Sequence, residues 1–186
     1  SYGSCGLPYF ASGDVPSFDQ LTRTSYGVER NPLFFKKTKG FDVVTGAEVL
    51  SIDREKKLVS VKDAKTGDIY SHGYFRLVIA TGARPKKPPF PFSESPFIRY
   101  FTRPDDAIFF RKLAERGAIG SLVIIGGGYI GCELAEAAMV WGFDTTLVER
   151  EAHLLPGGFD GEMAAHAERE LKAGGIRVRT KCAVTG

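Results

Sequence analysis

Three glycines and one acid in this chain are spaced for holding a dinucleotide. Gly126, Gly128 and Gly131 form G-x-G-x-x-G, and Glu149 follows twenty-one residues after Gly128. In such a pattern one glycine turns the chain tightly, one lets a pyrophosphate approach the backbone, and one lets a helix pack close to a strand. A carboxylate at the end of the next strand accepts hydrogen bonds from a ribose 2′-hydroxyl. It favours NAD over NADP, because a 2′-phosphate would meet a like charge. Arg150 and His153 stand close enough in sequence to offset part of that charge. Cys5, within SYGSCGLPY, is the second candidate. A cysteine among glycines has room for a partner molecule at its sulfur, yet it attacks well at neutral pH only where something stabilises the thiolate. On residue types alone, a structural and a functional thiol both fit Cys5.

The elements that must position these groups follow from the apolar pattern. Leu122 to Ile125 is a run of branched residues expected of a buried parallel strand, ending at three glycines. Ile130, Leu134, Ala137, Ala138 and Trp141 then recur at helical spacing, with Gly142 suited to the left-handed residue that closes a helix. The helix N-terminus, with unpaired N–H groups and partial positive charge, is an anion site facing the glycine turn. Thr145 to Val148 reads as a second strand carrying Glu149. Asp160 is placed to cap a helix reaching Ala173, with Met163, Ala167 and Leu171 on one face and Gly174-Gly175 at its end. Ile176 to Thr180 reads as a third strand. The fold class expected is therefore α/β, with a Rossmann-like βαβαβ half from Ser121 to Thr180 and right-handed crossovers.

Upstream the pattern differs. Glycines and prolines punctuate residues 1–16, leaving room for a short helix around Cys5. Asn31 and Pro32 suit the cap and first position of another short helix. Phe41 to Thr45, Glu48 to Asp53, Leu58 to Asp63 and a run after the turn at 66–68 read as strands of an antiparallel β-meander. Leu77 to Ala80 reads as a further buried strand ending at Thr81-Gly82, and the prolines of residues 84–92 mark the way out of a first domain. Asp105 and Asp106 suit the first turn of a helix over 103–116. The boundary expected is a first domain over 1–100 and a second over 101–186.

Composition narrows the classes. The chain has 186 residues, 43% of them hydrophobic and 25% charged, as in a soluble globular protein. The net charge of +3 is spread out, and the lysines at 36, 37, 39, 86 and 87 read as solvated faces, so no nucleic-acid partner is expected. No apolar run reaches membrane-span length and no signal peptide opens the chain, which predicts a cytoplasmic protein with no membrane partner. Cys5, Cys132 and Cys182 have neither disulfide nor metal spacing, and His72, His153 and His166 have no ligand spacing, so no metal is expected.

Taken together, SYGSCGLPY, LVIATGARP, VIIGGGYIGCELAE and LLPGGFDGEM, in that order, resemble the flavin-dependent pyridine nucleotide-disulfide oxidoreductases. Within them the resemblance is greatest to the coenzyme A-disulfide reductase, persulfide reductase and NADH oxidase group. It implies FAD and NAD(P)H, with NADH preferred, as cofactors. It also implies a partial FAD-binding domain containing the meander, followed by a partial NAD-binding domain. Cys5 maps onto the family's redox cysteine, and Ser1 and Ser4 onto its substrate-binding flank. Ser4 stands where coenzyme A reductases carry asparagine, and Tyr2 where phenylalanine is usual. Tyr129 matches the ring that covers the flavin until nicotinamide displaces it. Glu133 matches an acid near the flavin, and Ile130 lies in the nicotinamide loop. Val49 is implied to pass the adenine of FAD, and Thr81 and Gly82 to close against the flavin dinucleotide. The activity implied is NADH-dependent reduction of a disulfide, persulfide or polysulfide through one cysteine. The alternatives are an NADH oxidase or peroxidase, or an inactive nucleotide-binding module. The family's flavin glycine motif precedes its cysteine motif and its dimerisation domain follows the NAD domain. A chain of this extent is thus expected to hold FAD poorly alone, and the longer parent to be a homodimer.

Overall fold

The computed structural model describes residues 2–88, 90–91 and 95–185, which form two compact units. One takes in Val28–Arg84; the other joins Tyr2–Gly27 to the chain from Pro85 onward. The architecture is α/β, with one three-stranded antiparallel sheet and one three-stranded parallel sheet. Ser1, Pro89, Phe92, Ser93, Glu94 and Gly186 lie outside the described residues.

The first unit is built on the meander β1 (Ala47–Asp53), β2 (Leu58–Asp63) and β3 (Ile69–Gly73), with β2 in the middle. Asp53 and Asp63 shape its two turns, each carboxylate accepting hydrogen bonds from two following N–H groups. Only the central strand buries side chains, Val59 and Val61 on one face, while β1 and β3 are exposed along their length. Ahead of the sheet, the Asn31 side chain accepts the Phe34 N–H at 3.0 Å to start a short helix, α3 (Pro32–Phe34). It runs on as a π-helical turn over Phe35–Lys39.

Two expected strands are absent. Phe41 to Thr45 and Leu77 to Ala80 are irregular, and Val44, Leu77, Val78 and Ile79 are exposed. Both runs have strand-forming residues, but a strand exists only where a neighbour takes its backbone hydrogen bonds and covers its faces. Among the described residues no strand pairs with either run.

In the second unit the expected βαβαβ order is present: β4 (Ser121–Ile125), α5 (Tyr129–Val140), β5 (Asp144–Val148), α6 (Gly161–Ala173) and β6 (Arg177–Arg179), in parallel order β4-β5-β6. Gly142 and Gly175, with φ of 71° and 91°, end the two helices in left-handed conformation as their positions suggested. The Asp160 carboxylate caps α6 by accepting the Met163 N–H. The α6 face differs from the expected one: Ala164 and Leu171 are buried and Met163 is exposed. β4 is buried on one side only, since Ile124 joins the core with Leu134, Ala137, Leu147, Leu154 and Ile176 while Val123 and Ile125 are exposed.

The N-terminal segment folds onto this unit. It comprises a 3-10 turn over Ser4–Gly6, α1 (Leu7–Ser12) and α2 (Phe18–Leu21). It packs against α5 and against α4 (Pro104–Glu115), whose start is fixed by the Asp106 carboxylate accepting the Thr102 and Arg103 N–H groups. Two side chains pin the segment. Trp141 Nε1 donates to the Ala11 carbonyl at 2.8 Å. The Arg111 guanidinium donates to the Phe10 and Val15 carbonyls at 3.2 and 2.7 Å, lies 4.8 Å from the Phe10 ring centre and is held by Glu115. Arg111→Met would leave two carbonyls without their charged donor. It should lower unfolding free energy by about 2 kcal/mol in a urea titration followed by circular dichroism. A midpoint equal to that of the natural chain would show that the segment is held by packing alone.

Candidate functional site

The glycine turn between β4 and α5 is made by three different constraints. Gly126 has φ of 105°, a left-handed value that reverses the chain at the strand end. Its N–H donates to the Val148 carbonyl at 2.8 Å, so the turn begins as an extension of the parallel ladder. A Cβ at Gly131 would lie 1.9 Å from the Gly126 carbonyl oxygen, so any side chain there would have to shift the first turn of α5 away from the strand end. At Gly128, which caps α5, a Cβ would meet nothing within 4 Å. The helix end is therefore open outward and can be reached by an anion.

Gly127, which the motif leaves as a free position, is constrained as well. A Cβ there would lie 2.5 Å from Leu154 Cδ2 and 3.0 Å from Glu149 Cβ. Its N–H donates to Glu149 Oε2 at 2.6 Å, and its carbonyl accepts the Leu155 N–H at 2.7 Å and the Cys132 thiol at 3.6 Å. Glu149 is 8% exposed, and its other oxygen accepts the Glu151 N–H at 2.8 Å. The acid expected to meet a ribose thus also ties the glycine loop to the turn after β5. That turn is stitched to the exit of β6 by Cys182 N–H to Glu149 carbonyl and Lys181 N–H to Glu151 carbonyl bonds.

Above the loop is a cleft of about 640 Å³ lined by Gly128, Tyr129, Glu149, Arg150, Glu151 and the turn Leu155–Gly157. Arg150 and Glu151 face it as an exposed ion pair, with 3.0 Å from guanidinium to carboxylate. The Tyr129 ring, 58% exposed, leans on Phe159, 6.1 Å between ring centres. Its hydroxyl occupies the space a Cβ of Gly158 would need. The sequence reading passed over Gly127, Glu151, Leu154 and Pro156. The signal available was LLPGG six residues after the strand, a turn whose buried leucine, 0% exposed, props the loop from below. His153 turns Nδ1 onto the Leu154 carbonyl and stays outside the cleft lining.

Cys5 and Ser4 are exposed on the 3-10 turn ahead of α1. The turn is anchored by the Gly3 N–H to Leu21 carbonyl bond, and a Cβ at Gly6 would lie 2.4 Å from Leu21 Cδ2. Cys132 sits in the first turns of α5, where burial, and then the carboxylates of Glu136, Glu133 and Glu149, push its thiol pKa up to about 11. Ile130 is exposed at the helix start and Glu133 half-buried one turn on. Val49, Thr81 and Gly82 belong to the first unit, all exposed, with Gly82 left-handed at φ 78°. Ser1 lies outside the described residues. Among the described residues there is no cluster that could hold a metal, and no helix is long and apolar enough to cross a membrane.

Comparison with known proteins gives the family. The chain is 32% identical over 172 residues to a CoA-dependent NAD(P)H sulfur oxidoreductase of Pyrococcus abyssi, covering 92% of this chain and 36% of that protein. The solved NAD-dependent persulfide reductase of A. fulgidus superposes with a TM-score of 0.86 at 37% identity, covering 100% of this chain and 34% of that one. An engineered water-forming NADPH oxidase, a five-substitution mutant of the Lactobacillus brevis NADH oxidase, gives 0.81 at 27% identity, covering 100% and 39%. The chain thus spans about a third of the length of the proteins it matches. A model of the pyridine nucleotide-disulphide oxidoreductase family matches residues 2–186, and the chain belongs to that family.

Proposed function

We propose that the longer protein carrying this chain uses NAD(P)H and FAD to reduce a small disulfide, persulfide or polysulfide at Cys5. The observation that carries the nucleotide half of this reading is the glycine loop: braced beneath by Glu149 and Leu154, open above Gly128, and set at the N-terminus of a twelve-residue helix. A pyrophosphate would be bound there by the unpaired N–H groups of the helix start and by its partial positive charge. Glu149 retains lone pairs for a ribose hydroxyl, which supports NADH.

The sulfur half rests on Cys5 and on the relatives. The persulfide reductase and the sulfur oxidoreductase named above both act with nicotinamide cofactors on sulfur compounds, as their names state. Val49, Thr81 and Gly82 would contribute to holding FAD, as the resemblance implies. Bound FAD supplies two-electron transfer between nicotinamide and sulfur. Cys5 does the rest through its own thiolate: it attacks one sulfur of a disulfide, expelling a thiolate, or the carbon-bound sulfur of a persulfide, expelling hydrosulfide, and in either case forms a mixed disulfide. Ser4 beside it offers a hydroxyl to the substrate. Cys132 is set apart from this chemistry, because a thiol with a pKa of about 11 is almost wholly protonated at neutral pH. The second reading is an NADH oxidase or peroxidase, supported by the oxidase structure. In that case oxygen or peroxide, and no sulfur compound, would consume NADH.

The positions changed in that engineered oxidase bear on the cleft. Its parent's glycine was replaced by alanine, and the aspartate, alanine, methionine and proline eighteen, nineteen, twenty and twenty-five residues after it were replaced by other residues. Gly131, Glu149, Arg150, Glu151 and Pro156 have the same spacing, with glycine, acid and proline matching in type. This supports the cleft as the place where the adenine-side ribose is read.

Three outcomes are expected. In the full-length protein, NADH should produce a long-wavelength thiolate-to-flavin absorption band that Cys5→Ser abolishes, together with sulfur-dependent NADH oxidation; a folded protein free of flavin would refute the reading. Gly131→Ala should push α5 off β4, costing about 1–3 kcal/mol of stability and weakening NADH binding. An unchanged NADH titration would remove the loop from the site. With a chromogenic disulfide at pH 7.5, Cys132 should react at least ~100-fold more slowly than free cysteine, and its rate should climb with pH as the thiolate forms. Peptide mapping that finds Cys132 labelled as fast as Cys5 would return it as a redox candidate.

A further inference from the structure

Tyr129 stands where it could block the site it borders. It is the first residue of α5, directly after Gly128, and long side chains on a helix lean toward the helix N-terminus. Here that direction leads over the unpaired N–H groups of the helix start, the groups read above as the pyrophosphate site. In the structure the ring packs instead against the turn after β5. Two neighbours there receive it: the Phe159 ring, tilted at 57° with 6.1 Å between centres, and the bare backbone of Gly158. The tyrosine hydroxyl fills the space a Cβ of Gly158 would need, and ring carbon Cζ would lie 3.1 Å from that Cβ.

Gly158 is not required by its own backbone. Its φ is outside the left-handed region, unlike that of Gly126, Gly142 or Gly175, so what calls for glycine is the ring packed on it. The turn is also fixed to the loop. The Leu155 N–H donates to the Gly127 carbonyl at 2.7 Å, and the Leu155 carbonyl accepts the Gly158 and Phe159 N–H groups at 3.1 and 3.2 Å. Leu155 itself is left-handed at φ 55°, an uncommon conformation for leucine that persists only where surrounding contacts determine it. The place that receives the ring is therefore tied by hydrogen bonds to the loop that the ring would otherwise cover.

We propose that Gly158 and Phe159 are positioning residues that dock the Tyr129 ring beside the glycine loop and so keep the pyrophosphate site open. This rests on the dinucleotide reading above and concerns the phosphate half of the cofactor, separately from any contact of the ring with flavin or nicotinamide. With the dock intact, the helix start is bare before the nucleotide arrives. With a methyl group at Gly158, the hydroxyl is driven out, the ring returns toward the helix start, and the nucleotide has to displace it. A ring covering the loop about nine-tenths of the time lowers the apparent affinity about tenfold, since only the uncovered fraction binds.

The test is calorimetric titration of the full-length protein with ADP-ribose, which carries the adenosine and the pyrophosphate and lacks the nicotinamide. Gly158→Ala should weaken ADP-ribose binding about tenfold. Phe159→Leu, which keeps apolar bulk and loses the ring pair, should weaken it about threefold. In Tyr129→Ala there is no ring to dock, so adding Gly158→Ala should leave the affinity where Tyr129→Ala alone has it. Tyr129→Phe removes the hydroxyl that meets the new methyl group, and should recover most of the affinity lost in Gly158→Ala. A turn merely distorted by the methyl would weaken binding by the same factor in every background. Equal losses with and without the ring therefore overturn the proposal, and so does an ADP-ribose affinity unchanged in Gly158→Ala. A loss seen with NADH and absent with ADP-ribose would put the effect at the nicotinamide and overturn it too, while the cleft remains the dinucleotide site. If the natural protein binds neither ADP-ribose nor NADH, the dinucleotide reading falls and the proposal with it.

Discussion

The second unit depends on one buried carboxylate. Glu149 leaves the end of β5 and hydrogen-bonds the Gly127 N–H on one side and the Glu151 N–H on the other. Burying an acid is costly unless its oxygens are bonded, and here each has a backbone donor. The arrangement fixes the glycine loop relative to the tip of β5, and Leu154, fully buried, fills the space beneath. Because the Gly127 carbonyl also takes the Leu155 N–H, the loop is held through both of its polar groups. A loop so braced keeps its helix N-terminus aimed without the ligand's help, which reduces the ordering cost of binding.

That brace also explains why the glycines are not interchangeable. Gly126 answers to backbone conformation, Gly131 to the carbonyl 1.9 Å from its missing Cβ, and Gly127 to the leucine and glutamate packed over it. Gly128 has an ordinary φ of -78° and open space around it, so its lack of a side chain serves access from outside. The motif letters fix the first, third and last of these positions. They are silent on Gly127, whose requirement comes from residues twenty-two and twenty-seven positions downstream.

What was legible in the sequence divides along the same line. β4, α5, β5, α6 and β6 follow from periodicity and capping residues, because each is stabilised largely by its own pattern and by sequence neighbours. Asn31, Asp160 and Gly142 act within a turn of themselves and were readable for that reason. Leu77 to Ala80 has equally good strand residues and forms none, since pairing is a property of two segments. The pins on the cysteine segment were hidden for the complementary reason. Arg111 and Trp141 look like an exposed helical cation and a core aromatic, and their partners are carbonyls about a hundred residues away.

The candidate redox cysteine, Cys5, is exposed on a 3-10 turn of the second unit, and the turn is held from behind. Reactivity needs an exposed sulfur, so the cysteine cannot be placed in a packed core, where Cys132 shows the consequence in a thiol pushed up to about 11. An exposed turn by itself would wander. Here the turn is short, its Gly3 N–H is bonded to the Leu21 carbonyl, Gly6 admits the Leu21 side chain, and the helix that follows is clamped by Arg111 and Trp141. Rigidity is supplied from the helix behind while the sulfur stays open in front. The same division holds at the glycine loop, where buried groups fix the backbone and the face toward the cleft is left bare. In both places the chain achieves position by packing one side of a backbone segment and access by leaving the other side unfilled.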